Sequence, residues 1–270
     1  NPNQYEYQGE WQEMQVIEEK IAVKGQAEPV VQTVKITRHG PIMNDVASAV
    51  GSDAQPLALQ WTALQGGKLS QAILEIDQAR DWPSFRTALQ NFVAPAQNFV
   101  YADVDGNIGY QMPGLVPIRK QGDGTVPVPG WTGDYEWTTF IPFNELPSVY
   151  NPEVGYIATA NNQVVPDDYP YLITTDWAAP YRAQRIVELL ESKAQLSPED
   201  LRTIQGDVHP VNTDVFVPLL SQIDVSDSAK TVQDALAAVL AWDRNMDADA
   251  AAPLIFEQFQ KQRILATLGD

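Results

Sequence analysis

Side chains able to exchange a proton near neutrality are scarce in this sequence. Its 270 residues contain two histidines, His39 and His209, and no cysteine. A serine activated by histidine would need one of the two beside a G-x-S-x-G elbow, and no such elbow occurs. His39 closes an apolar run ahead of Gly40-Pro41, and His209 precedes Pro210, so each reads as a hydrogen-bonded structural histidine. Without cysteine there are no disulfides, thiolate nucleophiles or cysteine-ligated zinc, and the redox compartment stays open.

The carboxylates and amides offer more. Asp103-Val104-Asp105-Gly106-Asn107 is half of a calcium loop but lacks the distal bidentate glutamate. Asp-Gly between alternating apolar residues is already accounted for by a tight hairpin. Asp243-Arg244-Asn245-Met246-Asp247 reads in the same way, as a surface turn after a helix. Asn161-Asn162 follows an apolar stretch, Gly155 to Thr159, that reads as a strand. Paired amides there are ordinary turn formers. Held rigidly, they are also donors to a developing negative charge. On the residues alone the turn reading comes first.

The elements that must position these groups follow from periodicity. Glu13 to Lys24 and Val31 to Arg38 read as two strands joined at Gly25-Gln26, and Leu57 to Trp61 as a further short strand. Asp81 is an N-cap, with Pro83 in the first turn and Phe85, Leu89 and Phe92 at helical spacing. Asn98 to Tyr110 reads as a hairpin about Asp105-Gly106. Residues 113–152 form a proline- and glycine-rich ordered loop pinned by Trp131, Tyr135, Trp137, Phe140 and Phe143. From about Ala179 the pattern turns helical. Ser197-Pro198-Glu199-Asp200 is a helix start, Val232, Leu236, Val239 and Leu240 form one apolar stripe, and Leu254, Ile255, Phe256 and Phe259 begin another. Strands and helices are segregated along the chain, which predicts an α+β architecture.

Charge narrows the partners. Seventeen basic residues stand against 35 acidic ones, a net charge of −18, with the carboxylates dispersed. A field of that sign repels phosphate backbones and anionic membrane surfaces, so neither nucleic acid nor membrane is an expected partner. No apolar run approaches the roughly 18 residues of a membrane span. The opening, Asn1-Pro2-Asn3, has neither an initiator methionine nor a helix start. It reads as a cut within a longer protein, and a second cut after Gly269-Asp270 is expected.

Several segments together resemble the penicillin acylase (penicillin amidase) family of N-terminal nucleophile hydrolases. Thr37-Arg38-His39-Gly40-Pro41 is similar to that family's T-x-H-G strand end. Tyr101 to Tyr110, YADVDGNIGY, resembles its YADVNGNIGY hairpin, and Val126-Pro127-Val128-Pro129-Gly130 its LPVPG loop. Val149-Tyr150-Asn151-Pro152, Gly155-Tyr156-Ile157-Ala158 and Asn161-Asn162 resemble its VYNP…GYIA…NN stretch, and Trp242-Asp243 its later Trp-Asp pair. Each motif is modest alone. Their shared order covers most of the chain and makes the resemblance specific.

The resemblance implies part of a four-layer αββα sandwich with a helical C-terminal part. Residues 1–270 would be an internal segment of the β chain, with 1–178 mainly strands and loops and 179–270 mainly helical. It also implies a self-cleaving precursor whose new N-terminal serine attacks an acyl amide, its own α-amine acting as base. Asn161 falls on the family's oxyanion donor, and Arg182 on the arginine that orients it. Trp61 falls on a residue lining the acyl pocket. Gln97 falls on a pocket position that is apolar in benzylpenicillin-type members, which speaks against a phenylacetyl specificity. The serine itself would precede Asn1, so the segment alone is expected to be inactive. Expected partners are a small acyl amide, such as a penicillin side chain or an N-acyl-homoserine lactone, and the remainder of the precursor (the α chain and the N-terminal part of the β chain). A periplasmic or secreted location is implied. No cofactor is expected: the family resemblance allows calcium, but its ligands have no identifiable counterparts here. The alternative is a non-catalytic extracellular binding or assembly module on the same fold remnant, presenting the aromatic loop 131–143.

Overall fold

The computed structural model describes residues 1–47 and 55–268. It contains ten short strands and seven α-helices among the described residues, with the strands confined to the first 150 positions and the last five helices beyond 180. The α+β class and the helical C-terminal part expected from the sequence are both present. Contacts divide the chain into two units, one of residues 1–157 and 165–176, the other of residues 158–164 and 177–270.

The first unit opens with a hairpin that periodicity does not suggest. Strands β1 (Gln4–Tyr7) and β2 (Glu10–Glu13) pair antiparallel across Gln8 and Gly9. Both turn residues have positive φ, 50° and 81°. A two-residue turn matched to strand twist requires that sign. Strands β3 (Gln15–Ile21) and β4 (Val30–Thr37) match the first two expected strands, and β5 (Gly40–Pro41) extends their sheet.

Leu57 to Trp61 is not a full strand. It makes backbone bonds from Met43 N to Leu57 O and from Leu59 N to Pro41 O, with one bridge, Ile42 to Ala58. Pro41 has no N–H with which to continue a ladder, and a 3-10 turn begins at Thr62. Gly40 has φ 125°, and a Cβ on it would lie 2.0 Å from the Leu59 carbonyl oxygen. Only glycine lets the two backbones meet there.

Helices α1 (Leu69–Gln78) and α2 (Trp82–Leu89) follow. Asp81 caps α2 as expected, accepting from Ser84 N in a full capping box. Ala72, Phe85, Leu89 and Phe92 form the unit's core, packed by Trp82, Phe99, Tyr101 and Phe143. Strands β6 (Phe99–Ala102) and β7 (Ile108–Gln111) form the expected hairpin, with β10 (Ser148–Tyr150) on the other edge of β7. The Trp82 ring lies over Gly109, where a Cβ would come within 2.5 Å of it, and stacks on Tyr150 at 5.4 Å. Gln111, fully buried, accepts from Arg86 Nε at 2.9 Å and donates to Met112 O, so its amide enters the core with both ends satisfied. Within residues 113–152, β8 (Pro117–Arg119) and β9 (Trp137–Phe140) pair, giving the long loop more regular structure than its proline content suggests. Gly155 to Thr159, expected as a strand, forms none: Gly155 closes a turn at φ 74°, donating to Pro152 O, and residues 156–159 pair with no strand among the described residues; the edge of β7 is taken by β10 instead.

The second unit carries α3 (Tyr181–Glu191), α4 (Pro198–Gln205), α5 (Asn212–Leu220), α6 (Lys230–Leu240) and α7 (Ala251–Leu268). Ser197 caps α4 as its sequence indicates, in a capping box with Asp200. Val217, Leu220, Val239 and Phe256 form the core, with Leu236 and Trp242 against it. Phe256 is wholly buried. Its truncation in Phe256→Ala should destabilise this unit by about 3–5 kcal/mol through lost burial and an unfilled cavity. Urea unfolding followed by tryptophan fluorescence measures the difference, and a loss below about 1 kcal/mol would show that these helices do not share this core.

Candidate active site

Asn161 and Arg182 meet within the second unit. Arg182 Nη2 donates to Asn161 Oδ1 at 2.9 Å and to the Ala160 carbonyl at 2.7 Å. An arginine has donors only, so the amide atom facing it must be the oxygen. The Asn161 NH2 is thereby turned away from the guanidinium, and no acceptor among the described residues takes it. The residue is exposed.

The backbone is held as firmly as the side chain. Asn161 sits at φ 60°. Asparagine tolerates this left-handed conformation better than most residues. Its carbonyl accepts from Ala178 N at 2.9 Å. Asn162 Oδ1 accepts from Ala160 N at 3.0 Å, and Asn162 Nδ2 donates to Gln163 O. Ala160 itself is buried. The two amides of the Asn-Asn pair therefore do different work. Asn162 builds the turn, as turn chemistry predicts. Asn161 is gripped by its oxygen and presents its nitrogen. Arg182 stands in the first turn of α3, where the helix dipole disfavours a cation and Pro180 gives no side-chain cap. Its two carbonyl-type acceptors compensate for that position.

The other two site residues expected from the sequence lie in the first unit. Trp61, 51% exposed, ends the segment that runs beside Gly40 and precedes the 3-10 turn. Gln97 is exposed just before β6, its backbone N–H directed to Pro113 O at 3.4 Å. Beside it, Tyr110 Oη donates to Asn98 Oδ1 at 2.6 Å, tying the start of the hairpin to β7.

The histidines and the aspartate-rich turns have structural partners. His39 Nε2 contacts Glu136 Oε1 at 2.7 Å, Arg38 reaches the same carboxylate at 3.3 Å, and the Arg38 guanidinium lies 3.6 Å from the Tyr7 ring centre. His209 Nε2 contacts Asp214 Oδ2 at 3.1 Å. Asp103 accepts from the backbone N–H groups of Asp105 and Asn107 and from the Asn107 side chain. The Asn107 side-chain bond leads in holding the Asp103 carboxyl below its usual value. Its oxygens close a turn, as the Asp-Gly pattern indicates. Asp243 likewise accepts from the backbone and side chain of Asn245. Among the described residues no three histidine, aspartate or glutamate side chains converge to hold a metal ion.

An ion pair behind α3 has no counterpart among the expected site residues. Arg185 donates through Nε and Nη2 to both oxygens of Asp207, at 2.8 and 2.7 Å. The only sequence signal is the three-residue spacing of Arg182 and Arg185, which puts them on one helix face.

The structure superposes on that of a thermostable penicillin G acylase from Alcaligenes faecalis with a TM-score of 0.74 at 26% identity, over 100% of this chain and 49% of that one. The fold is thus that of an α+β N-terminal nucleophile hydrolase. The sequence model of penicillin amidase matches residues 1–270, and the chain belongs to that family. It is 32% identical over 249 residues to the penicillin acylase 2 proenzyme of Pseudomonas sp. strain SE83, spanning 90% of this chain and 31% of that protein. It is 31% identical over 284 residues to the acyl-homoserine lactone acylase QuiP of Pseudomonas fluorescens, spanning 98% of this chain and 34% of that protein. The chain therefore spans about a third of the length of these curated relatives.

Arg182→Met keeps a long apolar stem and removes both donations. Residues 160–161 should then loosen, and the Ala178 amide, which donates to Asn161, should exchange its hydrogen at least about tenfold faster. Unchanged exchange would mean that Arg182 does not hold this turn.

Proposed function

We propose that the chain carries the oxyanion-binding side of an amide hydrolase that cleaves acyl amides, penicillin-type side chains or N-acyl-homoserine lactones, through a seryl acyl-enzyme. Asn161 Nδ2 donates to the substrate carbonyl oxygen as that oxygen gains negative charge in the tetrahedral intermediate. Arg182 orients the amide. Trp61 lines the acyl pocket, and Gln97 makes that pocket less than wholly apolar. The serine, its α-amine base and a second, backbone donor lie on other parts of the precursor, of which residues 1–270 are an internal β-chain segment. A periplasmic or secreted location accompanies this reading.

The observation that carries it is the Arg182–Asn161 bond. A donor already turned toward the place where charge develops costs no reorientation during reaction. A free surface asparagine would have to be ordered first. The relatives' names, penicillin acylase and acyl-homoserine lactone acylase, share one substrate chemistry, an acyl group on an amide nitrogen, and one is named a proenzyme. Surface area supports the segment reading. The chain has a mass of 29.9 kDa. It exposes 18110 Å². A folded monomer of that mass exposes about 11700 Å², and even two separate bodies of half that mass expose about 14000 Å² together. The surplus suits a segment partly covered by the rest of its precursor.

Asn161→Gly removes the amide while keeping a residue at ease with a left-handed backbone. In the complete enzyme it should lower kcat about 10²–10³-fold with KM little changed, as loss of one oxyanion donor does. Unchanged kcat would remove Asn161 from the mechanism. The 270-residue chain by itself should release no product from either substrate class above the uncatalysed rate. Turnover by the purified chain would place the nucleophile within it and overturn this division of labour.

A further inference from the structure

We propose that Asp207 is a positioning residue for the Asn161 amide, acting through Arg185 and the helix that carries Arg182. The proposal rests on the oxyanion role given to Asn161 above. Within this segment, none of the α3 side chains is fully buried and no side chain caps its first turn. The apolar contacts that the segment itself makes with α3 do not set its position to the fraction of an ångström that a donor at a reacting carbonyl demands.

The Arg185–Asp207 fork supplies the missing constraint. Two parallel bonds between planar groups fix orientation as well as distance. Both side chains are largely covered, at 28% and 21% exposure. Arg182 and Arg185 lie three residues apart on one face, so a fork that stops α3 from rolling or sliding also fixes where Arg182 reaches. The far side of the fork is anchored in turn. Asp207 N donates to Ile204 O at the end of α4, and Asp207 Oδ1 also accepts from His209 N at 3.3 Å. Val208 O accepts from Met246 N. His209 Nε2 meets Asp214 Oδ2 of α5, and Arg244 Nη1 donates to Asp214 Oδ1 at 2.6 Å. Asp207 thus ties α3 to α4, α5 and the connection between α6 and α7. The bonds from Arg185 are also the leading cause that holds the Asp207 carboxyl below its usual range.

The test uses the complete enzyme. Asp207→Asn keeps the shape but loses the charge and one of the two bonds; Arg185→Lys keeps the charge but loses the fork. Each should lower kcat about tenfold with KM within about twofold, the pattern of a misplaced transition-state contact. Combined with Asn161→Gly, each should cost nothing further, because the group being positioned is already gone. An equal loss with and without Asn161 would overturn the proposal, as would an unchanged kcat where Asn161→Gly has lowered it. Should Asn161→Gly itself leave kcat unchanged, the oxyanion reading has failed, and positioning is decided separately by the Asn161 side-chain NH2 signals in asparagine-labelled protein. Asp207→Asn should shift or broaden them; signals that stay in place would overturn the coupling.

Discussion

A guanidinium can donate hydrogen bonds and cannot accept them. That asymmetry governs the candidate site, because an asparagine in contact with Arg182 must turn its oxygen inward and its NH2 outward. A lysine would give a movable point charge in place of a planar fork, and a glutamine at position 161 would bring an extra rotatable bond. Arginine against a left-handed asparagine defines the direction of a single amide. Around it, Ala178 takes the backbone carbonyl and Asn162 closes the turn, so the positive φ of Asn161 persists because several bonds require it.

Similar logic places the first unit's elements. Gly40 and Gly109 are positions where a side chain would collide, with the Leu59 carbonyl in one case and the Trp82 ring in the other. Each close approach brings a chemically relevant segment into place: the run ending at Trp61 beside the His39-Gly40 turn, and the YADVDGNIGY hairpin against α2. The amides this unit buries are paired. Gln111 is satisfied at both ends, and Asn44 donates to Gln55 O while accepting from Leu57 N. The His39 and Glu136 side chains pair across nearly a hundred residues of sequence, and in the second unit His209 meets Asp214. Each histidine is thus committed to a carboxylate partner.

The large negative charge belongs to the surface. Its carboxylates go into caps, turns and ion pairs, among them the exposed Asp81 and Asp243 and the half-buried Asp103 and Asp200. Such pairs contribute little individually to stability. Their effect here is local: they end helices and close loops, while apolar packing, such as that around Leu89 in the first unit and around Phe256 in the second, provides the cohesion. The chemistry proposed for this segment needs little charge of its own. It needs one neutral donor held still, and the charges that matter are the few, Arg182, Arg185 and Asp207, that hold it.

Much of this is legible in the order of residues, where the cause is local. Asp81 and Ser197 cap helices because a side-chain oxygen reaches an N–H three residues on, and Asp105-Gly106 turns a hairpin because of its own backbone preferences. The family can be recognised because its motifs recur in order. Other features depend on partners distant in sequence. Leu57 to Trp61 and Gly155 to Thr159 have the composition of strands, but a ladder needs a neighbour. Pro41 withholds one from the first, and β10 occupies the edge of β7. The direction of the Asn161 amide and the Arg185–Asp207 fork are likewise decided only in three dimensions. Hydrogen bonding between groups some twenty residues apart depends on how helices come to rest, and no local pattern encodes that.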